Sequence, residues 1–125
     1  MTVLSQADRK KAIRDLNDRF RCGIPNIGSV PGRVMLTQGI QALCSTDAEP
    51  MLYLSDLFEL IRTHDDFNKN NDPYAEHDFG SFEFQGETCF WKIDYYAPDM
   101  MSGAEDPADT ARSMRVLTVM VASEY

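Results

Sequence analysis

Alternating apolar residues on either side of a two-residue turn constrain this fold more than any other feature of the sequence. Such alternation is typical of strands with one buried face, and a glycine-containing turn joins two of them as a hairpin. The turn at 85–86 pairs Phe82 with Cys89 and predicts a hairpin over 79–96. This register predicts a core face formed by Phe82, Phe84, Cys89, Trp91, Ile93 and Tyr95. We expect the opposite face to meet solvent or to be half covered, because it mixes charged and aromatic residues: Phe79, Glu83, Phe90, Lys92, Asp94 and Tyr96.

Two further strands and two helices complete the predicted fold. Apolar runs predict strands near 33–37 and 115–122, and the nearly continuous apolar character of the second suits a central position in the sheet. Apolar residues at helical spacing predict helices over 5–21 and 48–63. We therefore expect one α+β domain over 1–125, with an antiparallel sheet of about four strands packed by the two helices.

Capping residues support both predicted helices. Ser5 is a good N-cap for the first helix, and Asp8 stands three residues later, as in a capping box. Thr46 or Asp47 is the expected N-cap of the second helix. The aromatic Phe58 lies on the apolar stripe of the second helix, and we expect it in the core.

The cysteines and the carboxylates provide no pattern for a metal or a cofactor. Cys22, Cys44 and Cys89 are widely spaced, which predicts neither a disulfide framework nor a zinc site but buried thiols in a reducing cytoplasm. The acid-rich run 76–78 cannot hold one ion, because its consecutive side chains project in different directions. No apolar run approaches the ~20 residues that span a bilayer, so we expect a cytoplasmic protein without a membrane contact.

Charge is unevenly distributed along the chain. The net charge is −8; residues 1–33 hold seven basic and three acidic groups, whereas residues 34–125 hold five basic and seventeen acidic groups. An acidic body repels nucleic acid and favours a protein partner with a basic surface. The basic N-terminal part either contacts phosphate or pairs with the acidic body. The candidate partner-binding residues are Asp56, Glu59, Asp99, Glu105, Asp106 and Asp109.

The segment 64–79 is rich in Asn, Asp and Pro, which predicts an ordered loop. In the predicted hairpin His77 lies where it could meet Asp94 or Tyr96, and a histidine oriented by a carboxylate is the usual general base. Lys92 would then stabilise an anion. The candidate catalytic residues of such a hydrolase or transferase are Tyr74, His77, Lys92 and Asp94. The competing interpretation is a loop packed by its own hydrogen bonds, with His77 satisfied by a neighbouring carboxylate.

Three motifs carry a resemblance to a known family: Asn-Asp-Pro-Tyr-Ala-Glu-His-Asp-Phe-Gly at 71–80, Phe-Trp-Lys-Ile-Asp-Tyr-Tyr at 90–96, and the C-terminal run 115–125. With the shorter matches at 33–37 and 105–109, the chain resembles a bacterial family known as domain of unknown function 3768. The resemblance implies a gene on a plasmid or another mobile element, near plasmid-maintenance and antirestriction genes. It implies no catalytic residues.

Together these observations favour a non-enzymatic binding protein of a mobile element. Its acidic surface would occupy a basic surface of a host defence complex that normally faces nucleic acid, as an anti-restriction or anti-CRISPR protein that mimics DNA. Two alternatives stay open. One is the small enzyme described above, and the other is a structural or dimerising accessory protein, which would display an exposed apolar patch.

Overall fold

A computed structural model of the chain describes residues 4–45 and 50–125. In this part of the chain the helices are α1 (Gln6–Gly23), α2 (Gln38–Cys44) and α3 (Pro50–Arg62), and the strands are β1 (Gly32–Leu36), β2 (Phe79–Phe84), β3 (Glu87–Tyr96) and β4 (Met114–Val121). A one-turn 3₁₀ helix, Ala122–Glu124, follows β4. None of the described helices is long and apolar enough to cross a membrane.

The four strands form one sheet in the order β1-β4-β3-β2. The α+β class, the hairpin, its Phe82–Cys89 pairing and the central position of β4 are confirmed. The prediction of a purely antiparallel sheet was wrong, because β1 runs parallel to β4. Two strands joined by a tight turn must run antiparallel. Because 77 residues separate β1 from β4, these two strands can pair in either direction.

The three helices cover one face of the sheet. The core combines Phe20 and Ile61 from the helices with the six side chains predicted for the inner face of the hairpin, of which Phe82 and Tyr95 are partly buried. Phe58 is 8% exposed, as expected. Cys22 is exposed, so the prediction of three buried thiols was wrong for this residue.

We call the other side of the sheet the helix-free face, since none of the described helices lies on it. Residues that alternate with the core side chains form this face: Arg33, Met35, Phe79, Ser81, Glu83, Thr88, Phe90, Lys92, Asp94, Tyr96, Met114, Val116, Thr118 and Met120. Tyr125 lies over its aromatic part, with ring centroids 5.7 Å from Phe90 and 6.1 Å from Phe79.

The helix ends follow their capping residues. The Ser5 hydroxyl oxygen accepts a hydrogen bond from the backbone N–H of Asp8 at 3.1 Å, which confirms the predicted start of α1. The proposed caps Thr46 and Asp47 lie outside the described residues. Helix α2 was not predicted, because its seven residues span too few turns to show a clear periodicity.

Candidate functional site

The carboxylates predicted to bind a partner are largely engaged within the chain. Three of them form ion pairs with arginines, at N–O distances of 2.6 to 2.9 Å: Glu59 with Arg62, Glu105 with Arg112, and Asp106 with Arg9. Asp99 and Asp109 each accept a backbone hydrogen bond at 2.9 Å within their own turns. Asp56 is exposed on α3. The basic first helix thus pairs in part with the acidic body, one of the two outcomes considered for it.

These six carboxylates fall into two groups at opposite ends of α1. Arg9, in the second turn of α1, holds Asp106 of the 97–112 segment. Arg21, in the last turn, donates hydrogen bonds to the carbonyl oxygens of Ile61 and Arg62, at 2.8 and 3.0 Å, and so fixes the end of α3. Arg21 stands twelve positions after Arg9 in α1, which corresponds to roughly 18 Å along the axis. The six residues therefore do not form one continuous patch.

The four candidate catalytic residues do not converge. Lys92 and Asp94 form an ion pair at 2.7 Å on the helix-free face, and this hydrogen bond raises the pKa of Lys92. His77 lies on the helix-covered side, where its ring stacks on Phe67 with centroids 3.8 Å apart. Tyr74 is 69% exposed. The expectation that His77 meets Asp94 was wrong, because the chain turns between 72 and 78 and carries the imidazole towards α1.

Carboxylates lie beside both ring nitrogens of His77. Nδ1 lies 2.9 Å from Oδ1 of Asp18 on α1, and Nε2 lies 3.7 Å from Oδ2 of Asp72. A general base needs a nitrogen that faces the substrate. Since both nitrogens face carboxylates and one ring face is covered by Phe67, this geometry favours the structural interpretation, in which a neighbouring carboxylate satisfies His77.

Asp72 fixes the turn that carries His77. Its buried carboxylate accepts hydrogen bonds from the backbone N–H groups of Glu76 at 3.2 Å and of His77 at 3.3 Å. Ala75 and His77 both have φ of 55°, a left-handed conformation that is uncommon outside glycine and costs on the order of 1 kcal/mol or more per residue. The turn is therefore held in one strained conformation by specific contacts.

A buried chain of polar groups attaches the same turn to the sheet. Nε of Arg115 donates to Oδ1 of Asn17 at 2.6 Å, and Nδ2 of Asn17 donates to the hydroxyl oxygen of Tyr95 at 2.7 Å. The Tyr95 hydroxyl in turn donates to Oε2 of Glu76 at 3.1 Å. Burial raises the pKa of Tyr95, so its hydroxyl retains the proton that it donates.

Asp78 ends this turn in a crowded acidic environment. Burial, followed by the neighbouring charges of Glu76, Asp72 and Asp94, raises its pKa from 3.8 to about 6. We call residues 64–78 the acidic segment, because they contain five carboxylates and one lysine: Asp65, Asp66, Asp72, Glu76 and Asp78, with Lys69. Sequence reasoning marked this loop but did not place its carboxylates among the partner-binding residues.

An open groove of about 450 Å³ lies between the start of α1 and the acidic segment. Leu4 and Ile13 supply its apolar walls, and Arg9, Lys10 and Glu76 supply its charges. The four candidate catalytic residues do not line it. The groove is therefore not the site of the predicted enzyme.

Neither a cluster of metal ligands nor an activated buried thiol is present among the described residues. Within residues 4–45 and 50–125, no group of three or more His, Cys, Asp or Glu side chains is arranged to hold a metal ion. Burial raises the pKa of the Cys44 thiol and, with added repulsion from Glu83 and Glu87, raises that of Cys89 to about 11. These two thiols are protonated, and hence weak nucleophiles, near neutral pH.

Comparison with known proteins gives a family. A family model described as "Protein of unknown function (DUF3768)" matches residues 36–124, which include the turn at 72–78, the hairpin and β4. No curated protein and no solved structure matches the chain. Because the match covers well over half of the sequence, the chain belongs to this family of unknown function.

Proposed function

We propose that the protein is a small binding protein that docks its acidic segment onto a basic surface of a partner protein. The observation that carries this proposal is the turn at 72–78, which Asp72 holds in one conformation and which presents the exposed Tyr74 beside the half-buried Asp78 and Glu76. Asp106 is paired with an arginine, whereas Asp78 lies near Glu76, Asp72 and Asp94, whose charges add to the effect of burial in raising its pKa.

Carboxylates held close together destabilise the free protein, and a basic partner can offset this repulsion when it binds. Like charges at short range in a half-buried site repel each other, and a lysine or arginine from a partner would reverse the sign of this interaction. Charged surfaces of this kind increase the rate of association and make it sensitive to salt. A fold that keeps such a cluster is consistent with a use for it in binding, since functional sites often tolerate local strain.

Tyr74 gives the acidic segment an anchor for binding. Its side chain is 69% exposed, although it stands within the turn fixed by Asp72. Tyrosine is enriched among the residues that dominate binding energy, and a fixed backbone lowers the entropy lost on docking. Tyr74, named above as a candidate catalytic residue, is better placed to contact a partner.

The proposed partner is a basic host defence complex, in which the carboxylates would take the place of phosphates. The net charge of −8 and the mobile-element origin that the resemblance implies support this choice. An inhibitor of this kind should act in the cytoplasm and should lose affinity steeply as salt increases.

Affinity capture followed by a direct binding measurement tests the proposal. Tagged protein is incubated at low salt with extract from a host that carries restriction and CRISPR systems, and the retained proteins are identified and purified. Binding of the purified partner is then measured for the wild type and for the double variant Tyr74→Ala, Asp78→Asn. We expect this variant to lose at least about tenfold in affinity, since hot-spot residues typically contribute this much.

A matched variant on α3 provides the control. Leu52→Ala combined with Asp56→Asn removes one exposed large side chain and one carboxylate, as the acidic-segment variant does, but on α3. We expect it to bind like the wild type. Retention of no partner at low salt, or equal affinity of the acidic-segment variant and the wild type, would refute the proposal.

A further inference from the structure

The helix-free face is unusually apolar for one side of a half-covered sheet. One-sided sheets normally present polar residues to water, whereas the exposed Met35 and the partly exposed Phe79, Phe90 and Tyr96 of this face are apolar or aromatic. Val116 and Met120 are buried between them. Met35 is 49% exposed, and Tyr125, which packs beside Phe90, is 78% exposed. Contiguous apolar surface of this kind usually marks an interface.

Charge balance distinguishes this face from the rest of the protein. Its charged side chains are two cations and two anions: Arg33, Lys92, Glu83 and Asp94. The whole chain, in contrast, carries a net charge of −8. Two copies that met through their acidic surfaces would repel each other, but two copies that met through this balanced face would not.

We propose that the helix-free face packs against the same face of a second copy of this chain, forming a homodimer with twofold symmetry. A twofold interface brings the same surface of both copies together, so it must be complementary to itself. The ion pair of Lys92 and Asp94 meets this condition, because the two residues stand one on each side of Ile93 along β3. A twofold axis at the level of Ile93 places Lys92 of each copy opposite Asp94 of the other.

The size of the face sets the strength expected of the dimer. Four strands about 4.8 Å apart, with a mean length near 24 Å, give a plan area of roughly 450 Å² for each copy. A standard interface buries ~800 Å² per partner, so this contact belongs at the weak end of the range. We expect a reversible dimer that forms with rising concentration. This proposal is independent of the docking role of the acidic segment, which lies near α1 on the other side of the sheet.

Sedimentation equilibrium from micromolar to millimolar protein tests the dimer. We expect the mass to rise from 14.2 kDa towards twice that value. Met35→Glu should weaken the dimer at least about tenfold, because it places a charge in the apolar contact. Leu52→Glu, at a side chain of similar exposure on α3, should leave the dimer unchanged.

Exchanging the charges of Lys92 and Asp94 distinguishes a loss of dimerisation from a loss of folding. Lys92→Glu should abolish the dimer, while the double variant Lys92→Glu, Asp94→Lys should restore it, because the exchanged pair is again complementary between copies. Thermal melts check that each variant is folded. A wild type that stays monomeric at millimolar concentration, as it would if a different protein covered this face, overturns the proposal. Equal dimerisation of the wild type and Met35→Glu also overturns it.

Discussion

Replacing Asp78 with asparagine should stabilise the protein at neutral pH. Burial and the nearby carboxylates raise the pKa of Asp78 from 3.8 to about 6, so the folded state binds a proton more tightly than the unfolded state does. The ionised side chain therefore opposes folding above pH 6. Asparagine keeps the shape of the side chain and removes the charge.

The size of this effect follows from the pKa shift. The rise of this pKa from 3.8 to about 6 corresponds to about 3 kcal/mol of folding free energy if solvent screening is ignored. Because Asp78 is only half-buried, solvent screening reduces the expected gain to about 1 kcal/mol. This gain corresponds to a rise in Tm of roughly 3–5 °C for a domain of this length.

Urea unfolding at pH 7.5 and at pH 4 measures the effect. The stability that protonated Asp78 contributes is fully present below pH 4 and is lost as the pH rises through 6. The free energy of unfolding of Asp78→Asn should therefore be higher than that of the wild type at pH 7.5 and equal to it at pH 4. Asp56→Asn on the exposed side of α3 is the control, with an expected change within about 0.5 kcal/mol. A destabilised Asp78→Asn variant, or a difference in the free energy of unfolding that does not depend on pH, would contradict the raised pKa of Asp78 in the folded protein.

Two further substitutions test the packing that supports the turn. Gly80→Ala would place a methyl group in overlap with the indole of Trp91, and it should destabilise the protein by about 2 kcal/mol or more. Gly28→Ala, at a position where the space is open, is the control and should leave the free energy of unfolding nearly unchanged. Fluorescence of the single tryptophan during urea unfolding measures both changes. Asn17→Ala should cost about 3 kcal/mol in the same assay, since it leaves the buried Arg115 without one hydrogen-bond partner; a loss under 1 kcal/mol would refute that role.

Local patterns predicted the elements of the fold well. Alternation about the 85–86 turn fixed the register of the hairpin, and the apolar run near 115–122 indicated the central strand. The direction of β1 was not predictable in the same way. A strand pattern carries no information about its partner, and the parallel pairing with β4 joins distant parts of the chain.

The candidate site was only partly predictable. The composition of 64–79 marked the loop, but the partners of His77 and Glu76 come from α1 and from β3, and sequence spacing does not bring these elements together. Asn17 offered one usable signal, because a polar residue stands four positions after Ile13, on the buried side of α1. The pair of Arg9 with Asp106 depends on a tertiary contact, whereas Glu59 with Arg62 and Glu105 with Arg112 are close in sequence.

Chemical-shift mapping with a basic ligand shows which surface of the protein binds cations. A peptide of lysine and alanine is added to ¹⁵N-labelled protein, and the shifts of the backbone amides are followed at low and at moderate salt. If the acidic segment is the docking site, the largest shifts lie in 72–78 and fade as salt increases. Largest shifts in 97–112 or on α3, where the sequence had placed the partner-binding carboxylates, would contradict it.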